Sequence, residues 1–236
     1  MKRDVVLFDL DGTLLPMDQD AFTKSYFSRL ASHLLPHGYD PNKVVADVWE
    51  GTKAMVMNDG SKTNEEVFWD TFSRLYEKDV RQDYEIFEKF YETEFKKLID
   101  TVQINLFSKE VIKKVKEKGY RVALATNPLF PRVATLERIS WTGMNPDDFE
   151  LVTTYETNSY CKPNPKYYED VCRQLNVKPE QCIMVGNDVS EDGVARKLGM
   201  KVFLIDECLM NPRNEDISDF PIGSFEDFLE WLDKDE

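Results

Sequence analysis

No stretch of the 236-residue chain reaches the roughly eighteen consecutive apolar residues of a membrane span, so no transmembrane helix is expected. Cysteine is scarce. Cys161, Cys172, Cys182 and Cys208 show neither a CxxC pair nor metal-ligand spacing. The N-terminus, Met1-Lys2-Arg3-Asp4, runs into an apolar segment with no signal-peptide pattern. The thiols are therefore read as reduced, buried or idle, and the chain as cytoplasmic. Histidine is scarcer still. His33 and His37 are four apart, but Pro36 intervenes and Gly38 follows, so they read as helix-end residues rather than a metal pair. Basic residues are in deficit, 30 against 44 acidic, for a net charge of −14. That field repels polyanions and argues against nucleic-acid partners. It also repels a phosphorylated ligand at long range, so a phosphate-handling site would need local cations. Internal repeats and low-complexity segments are absent as well.

What is present suits one large folded unit or two modest ones, with hydrophobic residues at 42%. Residues 16–100 carry helical periodicity throughout. Stripes run through Phe22, Tyr26, Phe27, Leu30 and Leu34, then Val44, Val45, Val48 and Trp49. They continue through Val67, Phe68, Phe72, Leu75 and Tyr76, then Tyr84, Phe87, Tyr91, Phe95 and Leu98. Thr63 and Glu66 have capping-box spacing. This block holds 14 of the 29 aromatic residues, and most sit at core spacing, so they are read as packing rather than as a binding surface.

Outside the block, helix and strand alternate. Strands are expected at 5–8, 120–125, 151–154, 182–185 and 201–205. Helices are expected at about 108–118, 131–140, 165–175 and 190–198, and from Ser224 through Trp231. Strands separated by helices predict a parallel sheet covered on both faces. In such sheets ligands bind beyond the carboxyl ends of the strands.

The informative residues fall at those ends. Val5-Val6-Leu7-Phe8 leads into Asp9-Leu10-Asp11-Gly12-Thr13. Residues i and i+2 of a strand share a face, so Asp9 and Asp11 are expected to point into one space. Thr126 follows Val122-Ala123-Leu124-Ala125, Lys162 opens Lys162-Pro163-Asn164-Pro165, and Asp188 and Asp192 follow Ile183-Met184-Val185-Gly186. Up to four carboxylates at one sheet edge are unfavourable without a cation. Oxygen donors with no His or Cys nearby point to a hard cation, Mg²⁺ above all. A carboxylate can serve as nucleophile. Thr126, Lys162 and the amides after Asp9 would supply donors and positive charge for a phosphoryl group.

These four pieces, in this order from residue 9 to residue 192, resemble the signatures of the haloacid dehalogenase-like (HAD) hydrolase superfamily. The resemblance implies a Rossmann-like three-layer α/β core, residues 1–15 and 101–236, with an inserted all-helical cap, residues 16–100, that closes over the site. It implies a Mg²⁺-dependent phosphatase acting on a small phosphorylated metabolite through an aspartyl-phosphate. Asp9 would be the nucleophile. Asp11 would be general acid and then base, with its main-chain carbonyl on the metal. Thr126 and Lys162, with Leu10 and Asn127 beside them, would hold the phosphoryl group. Asp188 would complete the metal site and Asp192 would support it. Members that act on carbon–halogen bonds generally lack the second Asp, so Asp11 favours phosphate chemistry. One position departs from the pattern. The acid expected directly after the glycine is Asn187, with Asp188 next, and either residue fits the ligand position. Glu191 is read as a first-turn helix acid. Other expectations are a monomer or homodimer, and as alternative functions a sugar phosphomutase or a non-enzymatic phospho-acceptor module. The latter is weakened by the chain's length and its helical insertion.

Overall fold

Four apolar runs of alternating destination organise the chain. In β1 (Val5–Phe8), Val6 and Phe8 enter one buried cluster while Val5 and Leu7 enter another. The same alternation holds in β2 (Arg121–Leu124), β3 (Cys182–Gly186) and β4 (Lys201–Ile205). A strand whose two faces are both buried needs layers on each side, and this gives the expected three-layer α/β fold. The structure, a computed structural model, describes residues 4–76, 79–105 and 107–234. Met1 to Arg3, read from sequence as lacking a signal pattern, lie outside the described residues.

The sheet is parallel, in the order β2-β1-β3-β4-β5, with β5 a two-residue strand, Ile222–Gly223. β1 thus lies between β2 and β3, and the loops after these three strands share one crevice. Between β1 and β2 come α1 (Gln19–Leu34), α2 (Pro41–Val56), α3 (Asn64–Tyr76), α4 (Tyr84–Glu92) and α5 (Phe107–Glu117). After β2 follow α6 (Arg132–Trp141), α7 (Pro165–Leu175) and, at the end, α8 (Phe225–Lys234). Asp18 caps α1 by accepting the Ala21 amide at 3.0 Å, and Asp40 caps α2 by accepting that of Asn42 at 2.9 Å. Phe22, Tyr26, Phe90 and Phe95 share their buried cluster with Val6 and Phe8 of the sheet.

Three expectations need correction, and one strand has no counterpart among them. The expected strand at 151–154 makes only a single bridge, Leu124 to Val152. Its extension fails because Thr153 turns its hydroxyl onto the Thr126 carbonyl and the Thr154 amide turns to Asn158. The fourth stripe does not form one helix to Leu98. It breaks at Thr93, whose hydroxyl takes the Lys89 carbonyl, and resumes as a 3-10 helix over Phe95–Thr101. The helix expected at 190–198 is a 3-10 helix at Gly193–Leu198; the residues before it form a turn in which the Asp188 carboxylate accepts the amides of Ser190 and Glu191. β5 carried no sequence signal, being two residues long.

Candidate active site

Asp9 ends β1, Thr126 follows β2, and Asn187 and Asp188 follow β3. All four line one cavity of about 190 Å³ together with Asp11, Asn127 and Glu191. The first loop is shaped by hydrogen bonds to Leu10, whose carbonyl accepts the amides of Thr13 and Leu15. The Leu10 side chain is buried in the core. Gly12 is required twice over. Its φ is +85°, and a Cβ there would collide with the Asn187 amide. Gly186 is required because the Asp192 carboxylate occupies the space a Cβ would take.

Lys162 lies beneath the cavity rather than on its wall. Its ammonium, 1% exposed, donates to Asp9 Oδ1 at 2.8 Å and to Asp192 Oδ1 at 2.7 Å. Asp192 Oδ2 accepts the amides of Asn187 and Asp188, each at 3.0 Å. Both Asp192 oxygens are thus engaged in holding the loop and the lysine, which suits support rather than direct ligation. Asp188 Oδ1 accepts the amides of Ser190 at 2.7 Å and Glu191 at 2.8 Å. Asn187 donates to the Cys208 carbonyl at 2.7 Å and accepts the Thr13 hydroxyl at 3.0 Å. Asn127 accepts the Lys162 amide at 3.2 Å and donates to the Glu191 carboxylate at 3.0 Å. The Thr126 carbonyl accepts the Tyr167 hydroxyl at 2.8 Å, which fixes the end of β2.

Sequence reasoning missed Arg138 of α6. Its guanidinium, 1% exposed, pairs with Asp11 Oδ2 and lies 4.5 Å from the centre of the Phe130 ring. Nothing in a helix repeat signals a reach across 127 positions. Glu191 was underrated. It faces the cavity, hydrogen-bonded to Asn127, which only the loop geometry reveals. Cys161, given no role from sequence, is buried, and burial pushes its thiol far above the usual range. His33 and His37 lie away from this cavity, and His33 Nε2 lies 3.0 Å from the Ile86 carbonyl.

The electrostatics are dominated by crowded acids. Burial pushes Asp9 up to about 7, against the pull of Lys162, with Asp192 adding to the rise. Burial also raises Asp188, and pushes Glu191 up to about 8. Each folded-state value exceeds the unfolded one. The folded protein therefore holds protons the unfolded chain has released, and stability falls as pH rises from about 4 through 8. Thermal midpoints in EDTA at pH 5, 6, 7 and 8 should trace this decline, and Glu191→Gln should flatten its upper part. An unchanged slope in that variant would contradict the assigned burial of the carboxylate.

The same crowding tests the fit of a cation. Asp11 Oδ1 is buried with no partner, and the cavity offers carboxylate, amide and carbonyl oxygens. Among the described residues no three His, Cys, Asp or Glu side chains form a ready-made ligand cluster. A site here would thus combine side-chain oxygens with the Asp11 main-chain carbonyl, to which Gln19 Nε2 now donates at 3.4 Å. That donor set fits a hard divalent ion.

Comparison with known proteins agrees with this architecture. A family model for haloacid dehalogenase-like hydrolases matches residues 3–199. Pyrophosphatase PpaX of Bacillus thuringiensis is 25% identical over 188 residues, covering 80% of this chain and 76% of that protein. Among solved structures, a predicted phosphoglycolate phosphatase from Haemophilus somnus superposes with a TM-score of 0.60 at 18% identity, covering 98% of this chain and 99% of that one. An L-2-haloacid dehalogenase from Xanthobacter autotrophicus does so with a TM-score of 0.58 at 11% identity, covering 98% of both chains. At these identities the structural neighbours speak to the fold.

Proposed function

The chain belongs to the haloacid dehalogenase-like hydrolase family, and from that premise we propose that it is a Mg²⁺-dependent phosphatase that hydrolyses a small phosphomonoester through an aspartyl-phosphate. The observation that carries the reading is the Asp9–Lys162–Asp192 chain beneath a cavity that Asp11 also lines. Membership of a hydrolase family sets aside the non-enzymatic phospho-acceptor alternative.

In this reading a carboxylate oxygen of Asp9 attacks phosphorus in line with the ester oxygen. Lys162 fixes the orientation of that carboxylate by holding Oδ1. As the P–O bond breaks, Asp11 gives its proton to the departing alkoxide. Asp11 then takes a proton from the water that attacks the phosphoryl group, and free phosphate and Asp9 are restored. Thr126 and Asn127, which line the same cavity, bind the phosphoryl oxygens. Asp9, the Asp11 carbonyl and Asp188 or Asn187 would hold Mg²⁺, which when bound neutralises charge on the phosphoryl oxygens. Residues 16–100 would act as a cap over this site, in a cytoplasmic enzyme with a small phosphorylated metabolite as substrate.

The test is phosphate release from p-nitrophenyl phosphate with Mg²⁺ or EDTA, by wild type and Asp9→Asn. Metal-dependent release that the variant loses is expected. Full activity in Asp9→Asn would overturn the mechanism.

Arg138 acts in this scheme through Asp11, by holding its carboxyl in place. Arg138→Met should lower kcat by about 10²-fold, the scale expected from a misplaced catalytic group. The loss should be greater for alkyl phosphates than for p-nitrophenyl phosphate, whose leaving group needs little proton help. Equal losses on both would reduce Arg138 to a folding role.

A further inference from the structure

A second cavity opens off the first. It holds about 230 Å³ among α1, α2, α3 and the loop after β2. It shares Asp11, Gln19, Leu129 and Phe130 with the catalytic cavity, so a group carried by phosphorus above Asp9 extends into it. Ten aromatic side chains line it, with no Lys, Arg or His among its described residues. Its single formal charge is the Asp11 carboxylate. The polar groups it contains are largely turned on one another. The Tyr26 and Tyr91 hydroxyls bond each other at 3.0 Å, and burial raises both phenols well out of reach of ionisation.

Such a wall discriminates by charge. A carboxylate or a second phosphate in the leaving group would be buried against Asp11; the nearby Arg138 guanidinium is already paired with Asp11, the described lining offers no further cation, and an unpaired buried charge is strongly disfavoured. A ring would meet Phe22, Tyr26 and Phe130, which already pack edge to face, and would lose little on leaving water. Engineered cavities of about 150 Å³ hold benzene, so this one has room for one or two rings. The absence of a free cation among the described lining residues also weighs against the phosphomutase alternative, whose bisphosphate intermediate carries two phosphates.

We propose that the substrate is a phosphomonoester with an uncharged, largely apolar alcohol portion of one or two rings, and that small anionic esters and pyrophosphate are excluded. This rests on the phosphatase reading above and departs from what the names of the pyrophosphatase and phosphoglycolate phosphatase relatives suggest for those proteins.

The experiment has a turnover arm and a binding arm. Turnover compares 2-naphthylmethyl phosphate, benzyl phosphate, glycerol 3-phosphate, phosphoglycolate and pyrophosphate with Mg²⁺; all but the last leave as alkoxides. The naphthylmethyl ester should exceed phosphoglycolate in kcat/KM by about 10²-fold or more, as expected for one unpaired buried charge. Binding uses 2-naphthylmethylphosphonate, which cannot be turned over. Trp49 and Trp69 line the cavity, so their emission reports its occupation. Thr23→Arg, or Thr52→Arg if the first fails to fold by circular dichroism, places a cation in the lining. Either should shift the preference toward phosphoglycolate by at least about tenfold. Equal or better turnover of phosphoglycolate, glycerol 3-phosphate or pyrophosphate by the wild type would overturn the inference and leave the phosphatase reading standing. Saturable phosphonate binding with no ester hydrolysed would do the reverse. Neither binding nor turnover would sink both.

Discussion

Lys162→Met is expected to lose about 3–5 kcal/mol of stability, the usual cost of removing one partner from a buried ion pair. The ammonium sits between Asp9 and Asp192 with no access to solvent, and no other cation touches either carboxylate among the described ion pairs. Removing it leaves two acids facing each other across the space of a side chain. The thermal midpoint should fall by about 10 °C or more for a chain of this size. The deficit should be smaller at pH 5 than at pH 8. At low pH the carboxylates can take up protons and shed the uncompensated charge, whereas at high pH they cannot. Phosphate release should drop to background at every pH, because Asp9 loses both its orientation and its counter-charge. Thermal unfolding across that pH range checks the first claim, and turnover by the fraction that remains folded checks the second. A variant as stable as wild type at pH 8 would refute the assignment of Lys162 as the neutraliser of this cluster.

Asp9→Asn should act in the opposite sense on stability while removing activity. In the proposed mechanism Asp9 is the nucleophile, and its replacement by the amide should lower phosphate release by at least about 10⁴-fold, equivalent to about 5.5 kcal/mol of barrier. The same change removes a buried carboxylate whose folded-state value, about 7, lies far above its unfolded one. At pH 8 in EDTA the thermal midpoint should therefore rise by a few degrees. Loss of function with gain of stability identifies a group kept for chemistry. Loss of both would mean that Asp9 serves mainly to anchor Lys162.

The sequence exposed those parts of the molecule that depend on short-range pattern. β1, β3 and β4 were legible because both faces of each are apolar. Asp9, Asp11, Thr126 and the Asn187–Asp192 loop stood out because each follows a strand whose end the pattern locates. What it concealed depends on distance in the chain. Arg138 occupies an ordinary helical position, and its pairing with Asp11 exists only after α6 has packed across the mouth of the first loop. Thr13 was visible only as part of a motif, whereas in the fold its hydroxyl reaches Asn187. Glu191 looked like a helix-opening acid because the helix was expected to start there. In the fold it precedes the 3-10 helix and its carboxylate accepts the Asn127 side-chain amide at the cavity wall. Local hydrogen bonding by Thr side chains ended the elements at 93 and 153 that apolar spacing alone would have prolonged. The cavity above Asp11 was hidden for a different reason. Its aromatics have core spacing, and spacing does not tell a side chain that fills a core from one that borders a hole within it.

The contacts of Asn187 bear on how this chain can change. Its amide gives a hydrogen to the Cys208 carbonyl while its oxygen receives one from Thr13. A carboxylate has no hydrogen to give, so an Asp at this position would set negative charge against a carbonyl oxygen and leave it unsatisfied. Replacement of Asn187 by Asp is thus opposed, by about 1–3 kcal/mol, by a neighbour 21 residues away. The two segments form an epistatic pair. Exchange of Asn187 for Asp is therefore expected to be tolerated better when the loop carrying Cys208 changes with it.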